Sequence, residues 1–84
     1  MTLTIPDHVS WQNVPGELAL FDVRDGRYHV LNGTAADIWR GIASGGDVSA
    51  IVATLSARHG VSEGEVAAAV ADFIATARDK GILA

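Results

Sequence analysis

Cysteine is absent from this 84-residue sequence, and only two residues are proline. Without cysteine the chain forms no disulfide, carries no thiolate nucleophile and offers no sulfur ligand to a metal, so packing has to stabilise the fold. No run approaches the ~18 apolar residues that span a bilayer. The N-terminal stretch MTLTIPDHVSW also lacks the basic and apolar regions of a secretory signal, which predicts a cytoplasmic protein.

Lysine and arginine are scarce as well. The chain has six of them against ten Asp and Glu residues, which gives a net charge of −4. A negative chain repels phosphate backbones and anionic lipids, so nucleic acid and membrane surfaces are poor candidate partners. The composition, 49% hydrophobic and 19% charged, is that of a folded protein. At this length we expect one small domain that spans residues 1–84.

The first third of the chain has the alternating pattern of β-strands. The runs HVSWQNV and ELALFDV are separated by Pro15-Gly16, a turn signal. A short loop that contains Gly26 then leads to a third run, Arg27–Leu31. Three short antiparallel strands are therefore predicted.

A helical period replaces the alternation at Thr34. We expect Thr34 to cap a first helix, with Asp37 favourably placed near its N-terminus, and Gly45-Gly46 to end it. The spacing i, i+3, i+4 and i+7 is typical of a buried helix face. It is formed here by Ala35, Ile38, Trp39 and Ile42, and we expect Ile38 and Trp39 to lie in the core.

Two more helices follow. Asp47 or Ser49 is expected to cap the second, which ends at Gly60, and the run SEGE places Ser62 as the N-cap of a third helix that stops at Gly81. The order β-β-β-α-α-α predicts an α+β fold that is winged helix-turn-helix-like, with a three-stranded antiparallel sheet followed by three helices.

No catalytic or metal-binding constellation is apparent in the sequence. His8, His29 and His59 are far apart and lack the spacing of metal ligands. Asp7, His8 and Ser10 follow one another on one strand and cannot converge on one reacting atom. We predict a protein that is not an enzyme and needs neither a metal nor a cofactor.

Charge also argues against DNA as the partner of the third helix. A helix that reads a groove needs basic residues near its N-terminal half, but here only Arg78 and Lys80 are basic, both at the far end. A winged-helix protein that binds DNA through its wing remains an alternative hypothesis. The acidic residues on this helix are Glu63, Glu65, Asp72 and Asp79.

The strand Arg27–Leu31 is the best candidate for binding. Alternation places Tyr28 and Val30 on one face and the other three residues on the opposite face. If this strand lies at the edge of the sheet, its unpaired backbone groups can accept an extended peptide as an added strand. The alternative interpretation is that the edge binds no peptide and that Arg27 and His29 only prevent it from aggregating with other strands.

Three stretches give the chain a family resemblance: GRYHVLNGTAADIW, DVSAIVATLSARHG and VADFIATARDKGILA. They resemble the PqqD-like family of small leader-peptide-binding domains, also called RiPP recognition elements. The resemblance extends from about Val9 to Leu83, and the motif Y-x-x-L-N-x-T-A-A-x-I-W is its most specific part. The chain looks most like the stand-alone members of lasso-peptide pathways.

The resemblance implies a peptide-binding site between the third strand and the third helix. In the family, the leader of a ribosomally made precursor adds as a strand and packs into the groove between these elements. Tyr28 is then either a core anchor or a groove-lining aromatic, and Arg27 is placed to pair with an acidic leader residue. The implied peptide-binding residues are Arg27, Tyr28, His29, Val30 and Leu31 on the strand and Val70, Phe73, Ile74 and Ala77 on the helix.

The function implied by the resemblance is non-enzymatic. Such a protein binds the precursor leader and presents it to a leader peptidase or another maturation enzyme, as a monomer or a weak, swapped dimer. The alternative within the family is a peptide chaperone of pyrroloquinoline quinone biosynthesis, with a radical enzyme as partner. Ala69 departs from the family pattern, because many members have an acidic residue at this position.

Overall fold

Three antiparallel strands precede three helices in the computed structural model, which describes residues 3–84. This order confirms the predicted α+β fold. The strands are β1 (Val9–Val14), β2 (Glu17–Asp22) and β3 (Arg27–Leu31), and the helices are α1 (Gly33–Ala43), α2 (Val48–His59) and α3 (Glu63–Asp79). No helix within residues 3–84 combines the length and apolar character needed to cross a membrane.

The sheet follows the order of the chain, β1-β2-β3. Gly26, in the loop between β2 and β3, has φ +69°, a left-handed conformation that side chains disfavour. The register pairs Leu20 with Trp11 on one side and with His29 on the other, so these three side chains share one face. Leu18 and Leu20 on that face are completely buried, which identifies it as the face that packs on the helices.

The ends of α2 and α3 confirm the predicted caps. The Asp47 carboxylate accepts a hydrogen bond from the backbone N–H of Ala50 at 2.8 Å, and the Ser62 hydroxyl accepts one from that of Glu65 at 3.3 Å. Gly60 ends α2 in the left-handed conformation, with φ +64°. These three helix ends are therefore set by local side-chain and backbone chemistry.

The prediction for the start of α1 was wrong. The helix begins at Gly33 and its N-cap is Asn32, whose side chain makes no capping hydrogen bond. Asn32 has extended backbone angles and directly follows β3, so the strand enters the helix without room for the expected cap at Thr34. The first turn contains no acidic residue, and Asp37 makes tertiary contacts instead.

The core lies between the sheet and the helices. Trp39 and Ile38 of α1 are 0% and 1% exposed, which confirms their predicted place there. Ile82 and Leu83, beyond the end of α3, are each 3% exposed and join the same core. The N–H of Ala84 donates to the carbonyl of Thr4 at 2.9 Å, so the residues after α3 are fastened to those before β1.

Asp37 of α1 contacts three basic groups, one on its own helix and two on α2. One carboxylate oxygen lies 3.2 Å from Nη1 of Arg40 and 3.5 Å from Nη1 of Arg58, and the other lies 3.3 Å from Nε2 of His59. Arg40 continues the contact to the sheet by donating to the side-chain oxygen of Asn13 at 2.8 Å. This single half-buried carboxylate therefore neutralises side chains from two helices.

Replacement of Asp37 with alanine is expected to destabilise the protein by about 1 kcal/mol, because the basic groups lose their shared acceptor and repel one another. For a domain of this size that corresponds to a melting temperature lower by roughly 4–8 °C. Thermal unfolding followed by circular dichroism measures the change. Asp72→Ala, which removes an exposed carboxylate from α3, is the control, and equal melting temperatures for the two variants contradict a role for the Asp37 contacts.

Candidate functional site

A groove separates β3 from the C-terminal half of α3. Its volume is about 230 Å³. We call it the β3–α3 groove, and its walls are mostly apolar, with polar side chains at the rim. The residues that line it are His29, Val30 and Leu31 of β3, Ala35 of α1, Phe73, Thr76 and Ala77 of α3, and Lys80 and Ile82 that follow.

Strand β3 is an edge strand. In the order β1-β2-β3 it pairs with β2 alone, and no further strand of residues 3–84 covers its other side. Backbone N–H and C=O groups on that side lack strand partners, so the edge can template the addition of an extended chain. The groove runs along the same edge, which puts a ladder of backbone groups beside an apolar cleft.

The two faces of β3 differ sharply in exposure. Tyr28 and Val30 are 74% and 59% exposed, whereas His29 and Leu31 are half-buried. His29, Val30 and Leu31 line the groove, but Tyr28 and the exposed Arg27 do not. Tyr28 is therefore neither the core anchor nor the groove-lining residue that the sequence suggested. It packs across the strand pair against Phe21, with ring centroids 4.7 Å apart, on the face of the sheet opposite to the buried leucines. Its contact with a peptide stays a prediction.

Helix α3 divides its apolar residues between the core and the groove. Val70 and Ile74 are 0% and 6% exposed and do not line the groove. Phe73 is half-buried and forms part of the groove wall, and the small side chain of Ala77 contacts both regions. The residues of α3 that line the groove thus lie beside the buried stripe of the helix, and only Ala77 belongs to both.

A cluster of polar contacts holds one end of the groove together. The buried carboxylate of Asp22 accepts hydrogen bonds from Nε of Arg24 at 3.3 Å and from Nη2 at 3.0 Å, and also from the Arg24 backbone N–H at 2.9 Å. Arg24 donates in addition to the carbonyl of Gly81 at 3.2 Å, and His8 Nε2 lies 2.8 Å from the same oxygen. We call Asp22, Arg24 and Gly81 the Arg24 latch.

The Arg24 latch shifts the ionisation of its members. The hydrogen bond from the Arg24 side chain is the main cause that holds the pKa of the Asp22 carboxyl below its ordinary value. In return, the Asp22 carboxylate raises the pKa of the Arg24 guanidinium. Both groups are therefore charged at neutral pH. The Asp22 carboxylate orients the Arg24 guanidinium, and the hydrogen bond from Arg24 to the Gly81 carbonyl connects the loop before β3 to the turn after α3.

Comparison with known proteins identifies the architecture. Residues 17–83 match the family described as Coenzyme PQQ synthesis protein D (PqqD). The chain belongs to the PqqD family. No curated protein sequence matches this chain.

Two solved structures have the same fold as this PqqD-family chain. One is TbiB1 in complex with the TbiA(beta) leader peptide, which is 25% identical, with a TM-score of 0.91 over 95% of this chain and 93% of that one. The other is lasso peptide synthetase B1 complexed with the leader peptide, 20% identical, with a TM-score of 0.92 over 100% of this chain and 99% of that one. The family resemblance seen in the sequence is thus confirmed.

The groove of this PqqD-family chain includes residues that sequence reasoning did not select. Thr76 and Lys80 line it together with Phe73 and Ala77. The four have the helical spacing i, i+3, i+4 and i+7, so extending the pattern from Phe73 would have identified the first two. Ile82 follows Gly81 outside the helix and carried no such signal. Within residues 3–84, no group of three His, Asp or Glu residues is arranged to hold a metal ion.

Proposed function

We propose that this PqqD-family protein is a non-enzymatic binder of the leader peptide of a ribosomally made precursor, and that it presents the leader to a leader peptidase in lasso-peptide biosynthesis. The observation that carries the proposal is the apolar β3–α3 groove beside a free strand edge. The structural match to TbiB1, a protein described in complex with a leader peptide, supports it.

Strand addition explains how so small a surface binds a peptide. The five residues of β3 extend for about 17 Å, enough to pair with a similar number of leader residues. Main-chain hydrogen bonds to the edge give affinity without regard to sequence, and side chains that enter the groove give selectivity. Leader side chains that point to the other face lie beside Tyr28 and Val30, and Arg27 at the start of β3 is the further predicted contact on this strand.

Presentation of the leader requires no chemistry in this protein. A peptidase that binds this protein and its leader together meets its substrate at a raised effective concentration, which increases turnover without a catalytic residue here. We propose that residues 1–84 act as one domain in the cytoplasm, where precursors are synthesised, and that no cofactor takes part. A monomer binds one leader in this scheme; a swapped dimer is the alternative.

The family match favours a second candidate, a peptide chaperone of pyrroloquinoline quinone biosynthesis. The same groove and edge would bind the precursor of that cofactor for a radical enzyme. A DNA-binding role has less support, because Glu63 and Glu65 place negative charge at the start of α3. Binding to duplex DNA that weakens steeply with salt would favour that role.

Titration with a leader peptide tests the proposal. The probe is the fluorescein-labelled leader region of a candidate precursor peptide from the genome that encodes this protein, and its binding is followed by fluorescence anisotropy. We expect saturable binding with a Kd below ~10 μM, in the range of strand-addition complexes. A scrambled peptide of the same composition is the control. Equal binding of both peptides, or no saturation, rejects the proposal, whereas preference for the pyrroloquinoline quinone precursor selects the second candidate.

A further inference from the structure

The rim of the β3–α3 groove carries basic side chains from both walls. His29 lines the groove from β3, and Lys80 lines it from the residue that follows α3. Among residues 3–84, no carboxylate lies within ion-pair distance of either group. The protein as a whole has a charge of −4. Two basic side chains that form no ion pair therefore stand on the rim of a groove in a protein that is negative overall.

The two carboxylates of the β2–β3 region near this end of the groove are already paired with arginine. Asp22 is buried and bound to Arg24, which also contacts Gly81 after α3. Asp25 in the same loop lies 3.8 Å from Arg27 and accepts its backbone N–H. Both loop carboxylates are thus matched by a guanidinium. Asp79 precedes Lys80 in the chain and Asp72 precedes Phe73, but both are exposed and neither forms an ion pair with Lys80 or His29.

The apolar part of the groove lies directly beside this rim. Leu31 lies two residues from His29 on the same face of β3, and Phe73 and Ala77 face it from α3. In a strand added along β3, residues i and i+2 likewise point to one face and lie about 7 Å apart. An apolar side chain opposite Leu31 therefore places the side chain two residues away opposite His29, toward Lys80.

We propose that the groove selects leaders in which an acidic residue lies two positions from the apolar residue that fills the groove. The inference rests on the proposed function and adds the chemical class of its peptide. The carboxylate accepts hydrogen bonds from the Lys80 ammonium and the His29 imidazole, and charge-assisted bonds of this kind are stronger than neutral ones. Lys80 and His29 are thus specificity-determining residues.

Selection from a random peptide library tests the inference without knowledge of the natural leader. The wild-type protein is immobilised and challenged with an mRNA-displayed library. We expect enriched peptides to share an aliphatic or aromatic residue with Asp or Glu two positions away. Enriched peptides without an acidic preference overturn the inference but leave leader binding intact, whereas the absence of any enriched peptide overturns the proposed function too.

Two variants of equal charge locate the preference in the groove. Lys80→Gln and Ala75→Glu each make the net charge more negative by one unit, but Ala75 is exposed and does not line the groove. Lys80→Gln is expected to weaken binding of a selected acidic peptide about tenfold, as loss of a charged hydrogen bond does. Ala75→Glu is expected to leave the affinity within twofold, and an equal loss in both variants refutes a role for Lys80.

Replacement of the acidic residue in the selected peptide by the corresponding amide, Asp by Asn or Glu by Gln, completes the test. We expect this exchange to cost about tenfold in affinity with the wild-type protein and little with Lys80→Gln, because the two groups act as a pair. The same tenfold loss with both proteins means that the carboxylate contacts another group. Binding is measured by anisotropy, and the circular dichroism spectra of the variants verify that they are folded.

Discussion

Replacement of Phe73 with aspartate is expected to weaken leader binding at least about 100-fold while the protein stays folded. Phe73 is half-buried and forms part of the groove wall, so the substitution removes an aromatic side chain and puts a carboxylate into the apolar groove proposed to bind the leader. Phe73 also packs against the edge of the core, but Val70 and Ile74 supply the buried stripe of α3, so we expect the fold to persist at lower stability. Fluorescence anisotropy measures affinity, and circular dichroism measures folding.

Three further variants separate loss of binding from loss of structure. Phe73→Leu keeps an apolar side chain and is expected to retain most of the affinity. Ala75→Asp places the same new charge on an exposed part of α3 outside the groove and is expected to bind normally. Thr76→Trp fills the groove from an exposed position without disturbing the core. Normal leader binding by both Phe73→Asp and Thr76→Trp shows that the leader binds elsewhere.

Replacement of Asp22 with alanine is expected to give the largest loss of stability. The Asp22 carboxylate is 1% exposed and accepts three hydrogen bonds from Arg24, one of them from the backbone. Its removal leaves these donors without their acceptor and opens a space in the buried face of the sheet. We expect the melting temperature to fall by roughly 5–10 °C. Because the Arg24 latch borders the groove, leader affinity is expected to fall as well.

Asp25→Ala is the matched control, since Asp25 lies in the same loop but is exposed and 3.8 Å from Arg27. A surface contact of this kind contributes little, so its melting temperature is expected to stay close to that of the wild type. If both variants lose the same stability, the loop itself is sensitive to substitution and the Arg24 latch has no special role.

The contribution of Asp22 is also expected to depend on pH. Arg24 lowers the pKa of the folded-state carboxyl below the ordinary value of 3.8 that the unfolded chain retains. The folded protein therefore binds fewer protons than the unfolded chain between these two values. The stabilisation is complete above the ordinary value and is lost as the pH falls through it toward the folded-state pKa.

Asp22→Asn reveals this dependence because the amide cannot ionise in this range. The difference in melting temperature between wild type and Asp22→Asn is expected to be constant at neutral pH and to shrink below about pH 4. Thermal scans between about pH 7 and pH 2.5 follow the difference. A difference that does not change with pH contradicts the ionic part of the Arg24–Asp22 contact.

The secondary structure was largely readable from local patterns. Alternation marked the strands, and Asp47, Ser62 and Gly60 set helix ends through contacts within a few residues. The start of α1 was predicted wrongly because its N-cap, Asn32, makes no side-chain capping hydrogen bond, so a search for a capping serine or threonine selected Thr34 instead. A sequence pattern therefore predicts a helix boundary only where residues next to that boundary make the capping contacts.

The sequence predicted which strand and helix form the site, but not which of their side chains face the groove. Alternation separated Tyr28 from His29, yet it could not tell which face packs on the helices. The register decides this, because Leu20 is buried and pairs with His29, while the outward Phe21 pairs with Tyr28. The wide apolar stripe of α3 posed the same difficulty, since Val70 and Phe73 differ in burial but not in hydrophobic character.

The late position of α3 in the chain has a consequence for synthesis of the protein on the ribosome. The ribosome completes β3 before it reaches α3 and Ile82, which form the opposite wall of the groove. Until those residues emerge, a nascent chain has an open strand edge and the uncovered leucines of its buried sheet face, both of which promote aggregation. Translation rate and chaperone supply should therefore affect the yield of this protein more than its small size suggests.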